Sequence, residues 1–226
     1  MSDRTKKVRT DELFDCRVSY LRGLFEREYP WEILPEIGAF TAALIGAGID
    51  GFTEYKPGVL IGRGVKIAPT AVIEPPAVLG DNCELRPGAY LRGNVLTGPD
   101  CVIGNSTELK NCVLLEHVQV PHYNYVGDSI LGNRAHMGAG AVCSNLKSDG
   151  KNVVIHGERD YGTGMRKIGA FLGDGAEIGC GCVLNPGTVV GQRTSVYPLT
   201  ALRGVYPADC IVKAADRVVP REPAVE

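Results

Sequence analysis

Ile61-Gly-Arg-Gly-Val-Lys-Ile67-Ala-Pro-Thr-Ala-Val-Ile73-Glu-Pro-Pro-Ala-Val-Leu79-Gly-Asp-Asn-Cys-Glu-Leu85-Arg-Pro-Gly-Ala-Tyr-Leu91 decides the fold. An aliphatic residue returns every six positions, at Ile61, Ile67, Ile73, Leu79, Leu85 and Leu91. The residue two places earlier is small: Val65, Ala71, Ala77, Cys83 and Ala89. The residue just after the aliphatic one is often glycine, as at Gly62 and Gly80. A helix has a period of 3.6 and a strand a period of 2, so a sustained period of six is an architecture of its own. It implies a parallel β-helix with a short strand and a turn in each hexad. The aliphatic residue points inward, and the glycine is expected to relieve difficult backbone angles at the corner.

The register extends outward from this stretch. After Thr97 it resumes at Ile103 and Leu109, then runs through Leu114, Val120, Val126, Leu131 and Met137, two of these spacings being five. It returns at Leu172, Ile178, Leu184, Val190, Val196 and Leu202. Cys83, Cys101, Cys112 and Cys182 fall on the small inward position and read as core fillers rather than ligands or disulfides. One long polar, glycine-containing break, residues 144–167, interrupts the coil, and an excursion of that length is functional or mobile. Upstream, Leu13, Phe14, Val18, Leu21, Leu24 and Phe25 recur at helical spacing, with Thr10 or Asp11 as N-cap. Pro30 and Pro35 interrupt, and Ile37, Phe40 and Leu44 make a second apolar face ended by Gly46 and Gly48. The division expected is a helical segment over 1–55, the β-helix over 56–210 and a tail over 211–226.

Composition agrees with a folded globular chain rich in turns. Of 226 residues, 44% are hydrophobic and 22% charged, with 29 glycines. The 24 Lys+Arg against 26 Asp+Glu leave a formal charge of −2, which gives no electrostatic case for nucleic acid or an anionic membrane. No apolar run approaches the roughly 18 residues of a membrane span, and no secretory signal stands at the start, so the cytoplasm is the expected compartment.

Several strings resemble the acetyltransferase half of the bifunctional UDP-N-acetylglucosamine pyrophosphorylase / glucosamine-1-phosphate acetyltransferase, within the hexapeptide-repeat acyltransferases. They are Leu85-Arg-Pro-Gly-Ala89, Glu108-Leu-Lys110, His122-Tyr-Asn-Tyr125-Val-Gly-Asp128, Met137-Gly-Ala-Gly140 and Ser144-Asn145, over roughly residues 61–205. No glycine-rich uridylyltransferase loop is found in residues 1–60. The resemblance implies a left-handed coil, homotrimers, acetyl-CoA as co-substrate and N-acetylation of an amino-sugar 1-phosphate in UDP-N-acetylglucosamine biosynthesis. It implies His122 as general base for the sugar amine, and the Ala139 N–H as oxyanion donor and acetyl-CoA contact. Arg86 and Lys110 would clamp the phosphate, and Tyr125 and Asn145 would bind and position the sugar. Lys151 matches the loop lysine, with Lys147 in competition. His136 stands where the family has asparagine facing the sugar, and Cys180 where it has serine near the thioester sulfur. Arg203 and Lys213 are the candidates for the acetyl-CoA arginine.

Plainer readings stand beside these. Arg92 and Lys110, eighteen residues apart, stack on one edge and form either an anion site or a solvated edge paired with Glu108 or Glu116. His117 and His136 suit structure and site equally, and Asp128 reads as a turn residue. Two other functions compete: a non-catalytic trimeric module that binds a nucleotide sugar or directs assembly, and a carbonic-anhydrase-like enzyme of the γ class. The latter needs a third metal-binding histidine upstream of His117 and His122, and residues 61–110 contain none, so no metal site is predicted.

Overall fold

The computed structural model describes residues 6–221, so the first five residues of the expected helical segment and residues 222–226 of the expected tail lie outside it. The hexad repeat folds as a parallel β-solenoid in which three hexads make one turn. Three flat faces result. The first is built by strands such as Val59–Ile61, Ala77–Leu79, Val95–Thr97, Ala170–Leu172 and Thr188–Val190. The second contains Lys66–Ile67, Glu84–Leu85, Gln119–His122, His136–Met137 and Glu177–Ile178. The third contains Val72–Glu74, Tyr90–Arg92, Val142–Cys143, Val183–Leu184 and Ala201–Leu202. Two longer strands, Glu108–Leu114 and Tyr125–Leu131, run from the third face around a corner into the first.

The ladder steps by eighteen residues, Val59 to Ala77 to Val95, and then by seventeen, Val95 to Cys112 to Ser129. The two hexads shortened to five account for the lost residue. Between Ile130 and Phe171 the step is forty-one, because the insertion leaves the coil there. Inside, the aliphatic column Ile73, Leu91, Leu109, Val126, Cys143, Leu184 and Leu202 is buried, and Cys83, Cys101, Cys112 and Cys182 are buried free thiols.

The glycines after the aliphatic residues act differently from the expectation. Their backbone angles are ordinary, and the left-handed residue comes two places later: Asn82 after Gly80, Asp100 after Gly98, Arg134 after Gly132. Asparagine and aspartate tolerate that region better than other side chains. Glycine is required instead by the approach of neighbouring coils: a Cβ on Gly138 would lie 2.6 Å from the Cys180 nitrogen.

The N-terminal segment is less helical than its spacing predicts. It folds as Thr10–Leu13, a 3₁₀ turn over Arg22–Glu26, Pro30–Ile33, and one eleven-residue helix, Ile37–Ala47, closed by Gly48 at φ 74°. The first helix is capped by Arg9, whose N–H donates to Glu12 at 3.2 Å, so Thr10 and Asp11 lie inside it. Pro30 begins a turn rather than breaking one, because its missing N–H costs nothing at a helix start.

This segment covers the first face. Leu13, Leu21, Leu24, Trp31, Ile33 and Ile37 pack on an outward column that includes Leu60, Val78, Leu96, Val113, Ile130, Phe171 and Val189, all buried. The insertion joins the same cluster. Val153, Ile155 and Ile168 are buried in it, Val154–His156 pairs antiparallel with Asp160–Gly162, and the Tyr161 ring meets Trp31 at 5.7 Å. At the far end Cys210–Ala214 adds to the second face and turns back as Arg217–Pro220.

Candidate active site

Two groups of side chains form at the two edges of the uncovered third face. The first is a vertical column on the corner between the second and third faces. Coil stacking puts His122, Ala139 and Cys180 directly above one another: the Gly140 N–H donates to the His122 carbonyl at 3.0 Å, and the Gly181 N–H to the Ala139 carbonyl at 2.8 Å. The residue after each has a left-handed backbone, Tyr123 at 51°, Gly140 at 70° and Gly181 at 67°, which exposes the corner residue. All three corner residues are exposed. The Ala139 N–H has no acceptor among the described residues, so it is a free backbone donor one coil from an exposed imidazole. That juxtaposition, a base and a neighbouring unfilled donor, is what acyl transfer requires.

Asn124, which sequence reasoning passed over, holds this corner. The residue is 2% exposed, and its side chain accepts from the His122 N–H at 3.1 Å and donates to the Gly138 and Ala141 carbonyls at 2.8 and 3.1 Å. The signal was present: asparagine occupies the inward position that is small or threonine in neighbouring hexads.

The second group lies at the other edge. Asp128, 6% exposed at its side chain, accepts from Lys110 at 3.0 and 3.2 Å, from Asn111 at 3.0 Å, and from Asn145. Asn145 also donates to the Tyr125 hydroxyl at 3.1 Å. A carboxylate can only accept, so it fixes the Asn145 amide with its nitrogen inward. The Asn145 oxygen and the Tyr125 O–H remain available to a ligand. Burial first, and the Asp128 charge second, push the Tyr125 phenol above its ordinary pKa, which keeps it a donor. Gly127 makes room: a Cβ there would collide with the Tyr125 hydroxyl. Asp128 is a turn residue, with φ 48°, and also the hub of this cluster. It further anchors the insertion, since its carbonyl accepts from Gly169 at 2.7 Å while the Asn145 carbonyl accepts from Ile168 at 3.0 Å.

The remaining predicted residues lie apart within one chain. Arg86 pairs with Glu84 at 3.1 Å and His136 with Glu177 at 3.0 Å, both on the second face. Arg92 pairs with Glu108 at 2.7 Å, so both stacked cations of the edge have carboxylate partners. His117 lies 3.7 Å from Asp100. Lys151 is exposed on the insertion, whereas Lys147 lines a cleft with Arg203. Lys213 sits over the Tyr197 ring at 5.9 Å.

Residues 58–93 match the model for six repeats of the bacterial transferase hexapeptide. The chain is a hexapeptide-repeat protein. Its coil is the left-handed parallel β-helix of such repeats. Residues 84–160 match the GMPPB C-terminal domain. The bifunctional protein GlmU of Methanococcus vannielii is 30% identical over 170 residues, covering 74% of this hexapeptide-repeat chain and 41% of the relative. A bifunctional sugar-1-phosphate nucleotidylyltransferase/acetyltransferase from Sulfurisphaera tokodaii is 36% identical over 114 residues, 50% of this chain and 28% of the relative. The chain thus spans less than half the length of these relatives. Among solved structures, the UDP-N-acetylglucosamine acyltransferase from Campylobacter jejuni aligns with a TM-score of 0.44 at 18% identity, over 68% of this chain and 73% of that one.

Proposed function

We propose that this protein is an acetyl-CoA-dependent N-acetyltransferase that acts on an amino-sugar 1-phosphate. The observation that carries the reading is the corner column, an exposed His122 imidazole one coil from the unfilled Ala139 N–H. The His122 imidazole takes a proton from the sugar amine as that amine attacks. The amine nitrogen bonds to the acetyl carbonyl, whose oxygen becomes an oxyanion held by the Ala139 N–H. Collapse breaks the carbon–sulfur bond and releases CoA thiolate beside Cys180, the amide forms, and the proton on His122 passes to the thiolate. On the same face, Tyr125 and Asn145 offer a donor and an acceptor to the sugar, and Lys110 lies beside them for its phosphate. Lys110 is already neutralised by Asp128, so phosphate binding shares this ammonium rather than meeting a free charge.

Arg86 and His136 belong to the acceptor site only if a neighbouring subunit brings them near it, which fits the homotrimer we propose. Light scattering then gives three times the 24.2 kDa chain mass. The activity is tested by CoA release from acetyl-CoA with glucosamine-1-phosphate and galactosamine-1-phosphate as acceptors. Acceptor-dependent release supports the reading; folded protein that releases no CoA with any amino-sugar phosphate or nucleotide-linked amino sugar contradicts it.

A further inference from the structure

Asn124 sits in a column of the inner wall where the coil asks only for a small residue. Coil pairing puts Ala89, Thr107, Asn124, Ala141, Cys182 and Thr200 at equivalent positions. Alanine, a thiol or a hydroxyl fills the others, so closing a coil does not require an amide. A buried amide costs free energy unless its polar atoms are paired. Those of Asn124 are paired with two adjacent corners. The His122 N–H donates to its oxygen at 3.1 Å, and its nitrogen donates to the Gly138 carbonyl at 2.8 Å and the Ala141 carbonyl at 3.1 Å. These partners fix which end is oxygen, since an N–H needs an acceptor and a carbonyl needs a donor. Thr107 steadies the root of the side chain: its hydroxyl accepts from the Asn124 N–H at 3.3 Å and donates to the Val120 carbonyl at 2.9 Å.

The bond to Gly138 governs the group beyond it. The Gly138 carbonyl and the Ala139 N–H belong to one trans peptide, in which the two point in opposite directions. The carbonyl accepts from the buried Asn124 amide and from the Ala141 N–H at 3.1 Å. With the carbonyl held toward that amide, the Ala139 N–H faces away from it and stays unfilled. Rotation of this peptide would break both bonds and turn the N–H inward. Donation to the carbonyl also polarises the peptide and makes its N–H a stronger donor. The next corner shows the coil without such an amide. There Ala141 stands in the place of Asn124, and the corresponding turn bond, from the Cys182 N–H to the Gly179 carbonyl, lengthens to 3.4 Å.

We propose that Asn124 is the positioning residue of the transfer site: it aims the Ala139 N–H at the acyl oxygen and holds His122 at a fixed offset from that donor. Asn124 touches neither substrate and acts through the two corners it bridges. The inference rests on the transferase reading for the reaction itself; the aim of the N–H is read on bound acetyl-CoA, with no acceptor present.

The full-length protein is saturated with acetyl-CoA labelled with ¹³C at the thioester carbonyl, and difference infrared spectra record the carbonyl stretch. A well-aimed N–H weakens that bond, so the wild-type band lies at lower frequency than the band in Asn124→Ala. In the same variant kcat falls about 10–100-fold, as for a catalytic group left in place but misaimed, while KM for acetyl-CoA stays within about twofold. A merely structural role would not move the band in molecules that remain folded. Asn124→Thr returns one donor, and both the band and kcat recover in part. Threonine already fills this position at Thr107 and Thr200, so that variant suits the coil and decides the matter if the alanine variant does not fold. A folded Asn124→Ala with either the wild-type band or the wild-type kcat overturns the proposal, and so does an Asn124→Thr that matches wild type in both where alanine cannot be measured. A band that depends on Asn124 in a protein that transfers no acetyl group to any amino sugar would keep the positioning role and remove the transferase reading. Acetyl transfer with a band indifferent to Asn124 would do the reverse.

Discussion

The first and third faces of the coil share one inner wall and differ only in what points outward. On the first face the outward residues are Val78, Leu96, Val113, Ile130 and Phe171, sealed beneath Leu13, Trp31 and Ile37. On the third face they include Tyr90, Glu108, Tyr125, Arg92 and Lys110, which remain in charged and hydroxyl pairs. The inner aliphatic ladder therefore fixes the scaffold, and a change of one outward residue per hexad decides between a dry interface and a wet site. The insertion links the two: Ile155 and Ile168 are buried in the dry cluster, while Asn145 and Lys147 face the wet one.

The contrast can be broken from the dry side first. Phe171→Ala removes a fully buried ring that faces Trp31 at 6.4 Å, and is expected to cost about 3–5 kcal/mol of unfolding free energy with turnover per folded molecule unchanged. Urea unfolding followed by Trp31 fluorescence measures it; a cost below about 1 kcal/mol would mean that the first face is not tightly packed. On the wet side, Asp128→Ala is expected to cost about 2–3 kcal/mol, because Lys110 and Asn145 lose their common acceptor while Lys110 keeps partial contact with water. The same variant should be cut faster by protease between residues 145 and 168, because the insertion's first end loses the bond from Asn145 to the Asp128 carboxylate, while Gly169 keeps its bond to the Asp128 carbonyl. Unchanged stability with unchanged cleavage would remove Asp128 as the hub.

The repeat was legible because its signal is local and recurs over most of the chain. The N-terminal segment was expected to pack on the larger part or on another subunit, and the face that receives it was not singled out, although that face was written in the sequence: Ala77-Val78-Leu79 and Val95-Leu96-Thr97 place an extra apolar residue between two inward ones. That column recurs every third hexad and is invisible to a search at period six. The helical spacing of the N-terminal segment misled for a related reason. Packing against a flat sheet face, rather than helix propensity, shapes this segment into short turns around Leu13, Leu24 and Trp31.

At the site, the resemblance named His122, Ala139 and Cys180, and the coil stacks them because they occupy equivalent hexad positions. The Asp128 cluster did not, because two hexads shortened to five move Asn111 and Asp128 into the corner. Nor did the Arg203 cleft, since a forty-one-residue step separates the coils on either side of the insertion. Pairings across a break in period depend on how the break folds, which no spacing specifies.

The central claim is that the wet corner performs acyl transfer on a scaffold that does not depend on it. The most direct measurement is kcat for acetyl-CoA and the best amino-sugar phosphate with His122→Ala, alongside its unfolding free energy. The His122 side chain is exposed and has no hydrogen-bond partner among the described residues, so stability should change by no more than about 0.5 kcal/mol. Loss of the base should lower kcat by about 10²–10⁴-fold. An enzyme that turns over at the wild-type rate without His122 would contradict the account.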